Sequence, residues 1–147
     1  MSYTREGYST LTPVIITKDA RTTLEGYVKA LGVDVRETLN CPKSGNLMHA
    51  CLKIGDSTIF LGQEAPMQGF VATERQELYL YVANVEDALK KAVNAGWKKM
   101  SEPEDMFWGD RIANVQDIDG NTWKLTQAIR DVSTEEVEAA MKVMANA

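Results

Sequence analysis

Apolar and β-branched residues follow one order along this chain, and that order occurs twice. Residues 13–17, PVIIT, form a short β-branched run, after which Asp19 is placed to cap a helix carrying Ala20, Leu24, Tyr27, Val28 and Leu31 on one stripe. Gly32 supplies the left-handed position that ends such a helix at low steric cost. The second half repeats the reading. Leu78 to Val82 predicts a strand and Asn84 a cap, and Val85, Ala88, Leu89, Ala92 and Val93 recur at relative positions 0, 3, 4, 7 and 8 before Gly96 closes the helix.

Past each helix the period drops to two, as strands require. In Met48 to Ile54, Met48, Ala50, Leu52 and Ile54 share one face, with His49, Cys51 and Lys53 on the other. Gly55-Asp56 turns the chain into Ser57 to Leu61. Arg111 to Gln116 runs likewise into Asp119-Gly120-Asn121, a hairpin turn whose Gly and Asn tolerate positive φ, and Thr122 to Thr126 returns. Gly55 and Gly120 stand at equivalent turns.

The pattern predicts an α+β fold of two βαβββ modules, each a strand, a helix and two or three antiparallel strands. Module one covers about 8–64 and module two about 77–130, joined by a linker over 65–76 that holds Pro66 and Gly69. Ser133 and Glu136 form a capping box for a C-terminal helix over about 133–146, whose stripe of Val137, Ala140, Met141 and Met144 needs cover from its own chain or a partner.

Composition narrows the chemistry. With 147 residues, 44% hydrophobic and 25% charged, the chain can form an ordinary core without a disulfide framework or a metal staple. Its net charge of −5 is uneven, because residues 1–72 carry seven basic and seven acidic side chains and residues 73–147 carry nine and fourteen. A phosphate backbone would be repelled, so no nucleic acid is expected. No apolar run approaches the roughly 20 residues of a membrane span. The opening MSYTREGYSTLTP lacks a secretory core, and Cys41 and Cys51 lack C-x-x-C spacing, which predicts reduced thiols in the cytoplasm. Phosphate-cradling glycine patterns, H-E-x-x-H and G-x-S-x-G are all missing from the sequence.

Few groups remain that could carry a function. His49, the single histidine, reads either as a titratable group facing a cleft or as a structural side chain bonded to backbone. Cys51 shares its face and reads as a buried, inert thiol. In EDMFWGDR, residues 104–111, Met106, Phe107 and Trp108 either cap a cleft as an aromatic lid, with Arg111 reaching a ligand anion, or pack internally, with Arg111 paired to Asp110 or Asp117. Tyr79 and Tyr81 alternate with Leu78 and Leu80 and offer a tyrosine-bearing face, while Trp97 and Trp123 read as core.

The stretches TPVIITKDARTTLEGYVKALG, MHACLKIGDSTIFLGQE, YVANVEDALKKAVNAGW and MFWGDRIANVQDIDGNTWKLTQAIRDVSTEE resemble the vicinal oxygen chelate superfamily, in its bacterial glyoxalase and bleomycin-resistance branch. The resemblance implies modules that curl into a half-open mixed sheet around a cleft, a small-molecule ligand and a homodimer. In catalytic members four His or carboxylate side chains of the first and fourth strands hold a divalent metal. Carried onto this sequence, those positions fall at Thr12, Phe60, Glu77 and Lys124, of which only Glu77 could bind a cation. No metal or other cofactor is therefore expected. Glu77 and Lys124 would instead face each other, either as a pair that orients a polar ligand group or as a salt bridge in place of the metal. The expectation is a metal-independent protein holding a ligand among Thr12, His49, Phe60, Glu77, Tyr79, Trp108, Arg111 and Lys124. The alternative is a lyase or isomerase of the same superfamily with Glu77 or His49 as the proton-transfer group.

Overall fold

The computed structural model describes residues 2–146. Two compact units meet in the chain between Gln76 and Glu77. In the first, β1 (Val14–Thr17) leads into α1 (Ala20–Leu31), followed by β2 (Asp34–Asn40), β3 (Leu47–Ile54) and β4 (Ser57–Gln63). The sheet order is β1-β4-β3-β2, with β1 parallel to β4 and the other neighbours antiparallel. α1 starts where Asp19 accepts the Thr22 backbone N–H and ends on Gly32 at φ 66°. It covers a sheet face carrying Ile15, Ala50, Leu52 and Leu61, all buried together with Ala20, Tyr27 and Ala30 of the helix.

The second unit repeats this order, with β5 (Glu77–Tyr81), α2 (Val85–Asn94), β6 (Lys98–Lys99), β7 (Glu104–Asp105), β8 (Asp110–Gln116) and β9 (Thr122–Ala128), and adds α3 (Thr134–Ala145). Its sheet runs β5-β9-β8-β6, with β7 also paired to β8. α2 buries Val85, Leu89 and Ala92 on this sheet, whose inner face holds Ala113, Val115, Trp123 and Leu125. Trp97 packs on Trp123 with ring centroids 5.9 Å apart, so both tryptophans are core. The 117–121 turn is tied by Asp117, which accepts from the backbone N–H groups of Asp119 and Asn121, from Asn121 Nδ2 and from Trp123 Nε1.

The α+β fold and the C-terminal helix are as the sequence pattern predicts, with local differences. The buried stripe of α1 is Ala20, Thr23, Tyr27 and Ala30, and Val28 is exposed. Val93 is likewise exposed on α2, and that helix ends on Ala95 in the right-handed region, one residue before Gly96 at φ 97°. β2 has no counterpart in the periodicity, because all seven of its residues are exposed and nothing alternates. The segment 65–76 is also more ordered than a plain linker: it makes a 3-10 turn over Pro66–Gln68, and Thr73 exchanges hydrogen bonds with the backbone of Ile16. α3, capped by Ser133 as expected, buries none of its residues. Among the described residues no helix is long and apolar enough to cross a membrane.

Candidate functional site

In the first unit the register sets Phe60 opposite both Val14 and Cys51, Cys51 opposite Glu37, and His49 opposite Leu39. Alternation along a strand turns these side chains to the face away from α1. Residues 3–12 lie over that face and enclose with it a pocket of about 520 Å³, lined among others by Tyr8, Thr12, Glu37, His49, Cys51 and Phe60. Phe60 is the hub: the His49 ring lies 5.2 Å away and the Tyr8 ring 5.9 Å away, both tilted against it. The Tyr8 hydroxyl lies 3.5 Å from Cys51 Sγ, and this contact raises the pKa of the tyrosine. Three expected residues, Thr12, His49 and Phe60, thus come together here, and Cys51 is buried as read. Tyr8 was not legible in advance, since it lies in a stretch without periodicity.

In the second unit the corresponding face carries Glu77, Tyr79 and Tyr81 from β5, Lys124 and Thr126 from β9, and Asp110 and Asn114 from β8. Lys124 Nζ donates to Asn114 Oδ1 at 3.2 Å and pairs with Glu77 Oε1 at 3.1 Å, a polar line across three strands. Asp110 Oδ2 accepts from the Tyr79 hydroxyl at 2.5 Å and from Trp108 Nε1 at 3.0 Å. Partial burial, then the Asp110 hydrogen bond, raises the pKa of Tyr79. The Phe107 ring stands edge-on to Trp108, 4.9 Å away. Asp110, which fixes two of the expected residues, was read in the sequence only as a possible partner of Arg111.

Arg111 is not brought to this group. Its register partner is Gln127, whose side chain reaches α2, and its guanidinium binds Asp105 and Glu86 rather than Asp110 or Asp117. The Asp105 contact holds that carboxyl below its usual range and pushes the guanidinium up. The reason is alternation: Arg111 follows Asp110 directly and so takes the helix side of the sheet. Cys41 and Cys51 are both free thiols, and hydrogen bonding from Ser44 lowers the pKa of Cys41.

Two halves that share the order strand, helix and antiparallel strands, each with a side-chain-bearing face away from its helix, define a protein of duplicated βαβββ modules. The sequence model of the Glyoxalase/Bleomycin resistance protein/Dioxygenase superfamily matches residues 10–125, and the chain belongs to that superfamily. It is 34% identical over 140 residues to an uncharacterized protein of Mycobacterium bovis, covering 89% of this chain and 91% of that protein. An uncharacterized protein of Mycobacterium tuberculosis is equally similar, with 81% of its length covered. Among solved structures, TioX from Micromonospora sp. ML1 shares the fold at a TM-score of 0.68 and 21% identity, over 82% of this chain and 99% of that one. A glyoxalase/bleomycin resistance protein/dioxygenase family enzyme from Burkholderia phytofirmans does so at 0.66 and 18%, over 80% and 97%.

The side chains at the positions that the resemblance assigns to a metal, Thr12, Phe60, Glu77 and Lys124, do not form a donor set that fits one. Phe60 has no lone pair, and Lys124 places an ammonium 3.1 Å from the carboxylate of Glu77, where a cation would be repelled. Among the described residues no three His, Cys, Asp or Glu side chains come together in a group that could hold a metal ion.

Proposed function

We propose that this chain is a metal-independent small-molecule-binding protein that uses the module faces turned away from the helices. The observation that carries the reading is the Glu77–Lys124 ion pair, which sets a cation beside the carboxylate where the resemblance would have a metal. The first module offers an aromatic wall of Phe60 and His49, with Thr12 and Glu37 as polar neighbours. The second offers Tyr79 and Trp108, oriented through Asp110, beside Lys124 and Glu77. An apolar surface with few polar anchors suits a planar, partly aromatic ligand. Sequestration of such a molecule needs no bond-making. We place the protein in the cytoplasm as a homodimer, a reading supported by its two free thiols and by the exposed Met141 and Met144 of α3.

The test is elemental analysis of protein purified without chelator, followed by thermal shifts with EDTA and with a panel of planar aromatic compounds. Sub-stoichiometric metal, no response to EDTA and stabilisation by at least one aromatic compound are expected. Near-stoichiometric Ni, Zn or Fe would overturn the metal-free reading. Turnover that vanishes in Glu77→Gln or His49→Ala while the fold survives would replace sequestration with lyase or isomerase chemistry.

A further inference from the structure

Residues 2–13, before β1, have no regular structure, yet they lie over the face that the binding reading needs open. Within this segment the Thr4 backbone N–H bonds to Ser2 Oγ and the Tyr8 N–H to the Arg5 carbonyl, both local contacts. Among the described residues of this segment, Tyr8 alone of the large side chains is partly covered, since Tyr3 is 91% exposed and Leu11 81%. The Tyr8 ring lies on Phe60 and its hydroxyl on Cys51, and Cys51 retains only 3% exposure. Strand alternation turns the Cys51 side chain away from α1, toward the overlying segment and the pocket it encloses.

We propose that residues 2–12 form a strap over the first module, latched by Tyr8, and that a ligand gains Phe60 and Cys51 by displacing that ring. The proposal rests on the binding reading and adds its regulation. A site competent for only part of the time binds more weakly by the fraction of time it is open. Loss of the latch therefore raises affinity, whereas loss of an ordinary contact residue lowers it. Cys51 serves as a reporter, because its thiol lies against the Tyr8 hydroxyl on the face away from α1, so lifting that side chain changes its exposure by a local motion that leaves the α1 core in place.

The experiment uses Cys41→Ser protein, so that one thiol remains, and follows iodoacetamide labelling of Cys51 in zero and in low urea, with and without Tyr8→Ala. A labelling rate independent of low urea in the parent protein, and at least ten times faster in Tyr8→Ala at an unchanged circular dichroism spectrum, is expected. A parent rate that climbs with urea in step with global unfolding would overturn the strap. Tyr8→Phe keeps the ring and removes the hydroxyl contact, so its rate should fall between the two; a rate equal to the parent's would overturn the hydroxyl's part in the latch. Binding of 8-anilinonaphthalene-1-sulfonate, read by fluorescence, should tighten at least three-fold in Tyr8→Ala. Unchanged or weaker binding overturns the gating. Binding of neither this probe nor the aromatic panel, with urea-independent labelling intact, would instead remove the binding reading and leave the strap as a mobile cover.

Discussion

Gln127 Oε1 accepts the backbone N–H of Val85 at 3.1 Å, reaching from the end of β9 to the first residue of α2. The first unit repeats the arrangement with Gln63 Oε1 and the N–H of Ala20 at 2.9 Å. A helix leaves its first four N–H groups without intrahelical partners. In both units the cap residue, Asp19 or Asn84, serves the third position, and a glutamine from the last strand serves the first. This is the clearest trace of the repeat at the level of single atoms.

Gln127→Leu should therefore destabilise the protein by about 1–3 kcal/mol, the cost of a buried donor left without a partner. Val85 is fully buried, so water offers no easy replacement. Gln127→Glu keeps an acceptor and should lose less. Urea unfolding followed by circular dichroism ranks the two variants, and equal losses would mean that packing rather than the hydrogen bond decides.

Asp117→Ala should cost about 3 kcal/mol or more, because it strands several donors at once. Trp123 Nε1 and Asn121 Nδ2, both on fully buried residues, lose their carboxylate acceptor together. The same unfolding measurement reads it, and a loss under 1 kcal/mol would show that the 117–121 turn rearranges to recover the bonds.

Gly109→Ala should be destabilising by at least about 2 kcal/mol, since a side chain at strongly positive φ is strained. Here φ is 100°, and an added Cβ would lie 2.3 Å from the Arg130 carbonyl oxygen. The Gly109 carbonyl also accepts the N–H groups of Ile129 and Arg130, so displacement moves the neighbouring Trp108. A shift in tryptophan emission alongside the lowered unfolding midpoint is expected.

Asp19 gives a pH dependence whose sign is fixed. The Thr22 hydroxyl and N–H hold its carboxyl below the usual value, so the folded state binds the proton less readily than the unfolded chain does. Its contribution is complete above the unfolded carboxyl value of about 3.9 and is lost as pH falls through the lower, folded value. Asp19→Asn caps without titrating. Wild type should hold its margin over that variant from pH 7 to about 5 and lose it toward pH 3 in thermal unfolding scans. A margin that does not change across this range would show that the cap charge has no part in stability.

Much of this architecture was readable in advance where burial is one-sided. α1, α2, β3, β5, β8 and β9 each present one apolar face, and the positions of Ala50 and Leu52 follow from period. β2 was not readable, because a strand exposed along its whole length carries no alternation. The candidate residues divided in the same way. Thr12, Phe60, Glu77 and Lys124 were implied by the family resemblance, and the structure brings Phe60 to His49, Lys124 to Glu77 and Tyr79 to Trp108. Arg111 was misjudged by one step of the pleat, and Tyr8 and Asp110 act through contacts that no spacing announces.

The Thr73 contacts have a consequence for solubility. β1 is a terminal strand, and such a strand normally displays free amides that can recruit another molecule into a growing sheet. Ile16 gives its N–H to Thr73 Oγ1 and its carbonyl to the Thr73 N–H, so a neighbouring stretch of the same polypeptide occupies the docking line. That stretch of the edge is thereby closed to strand addition at Ile16.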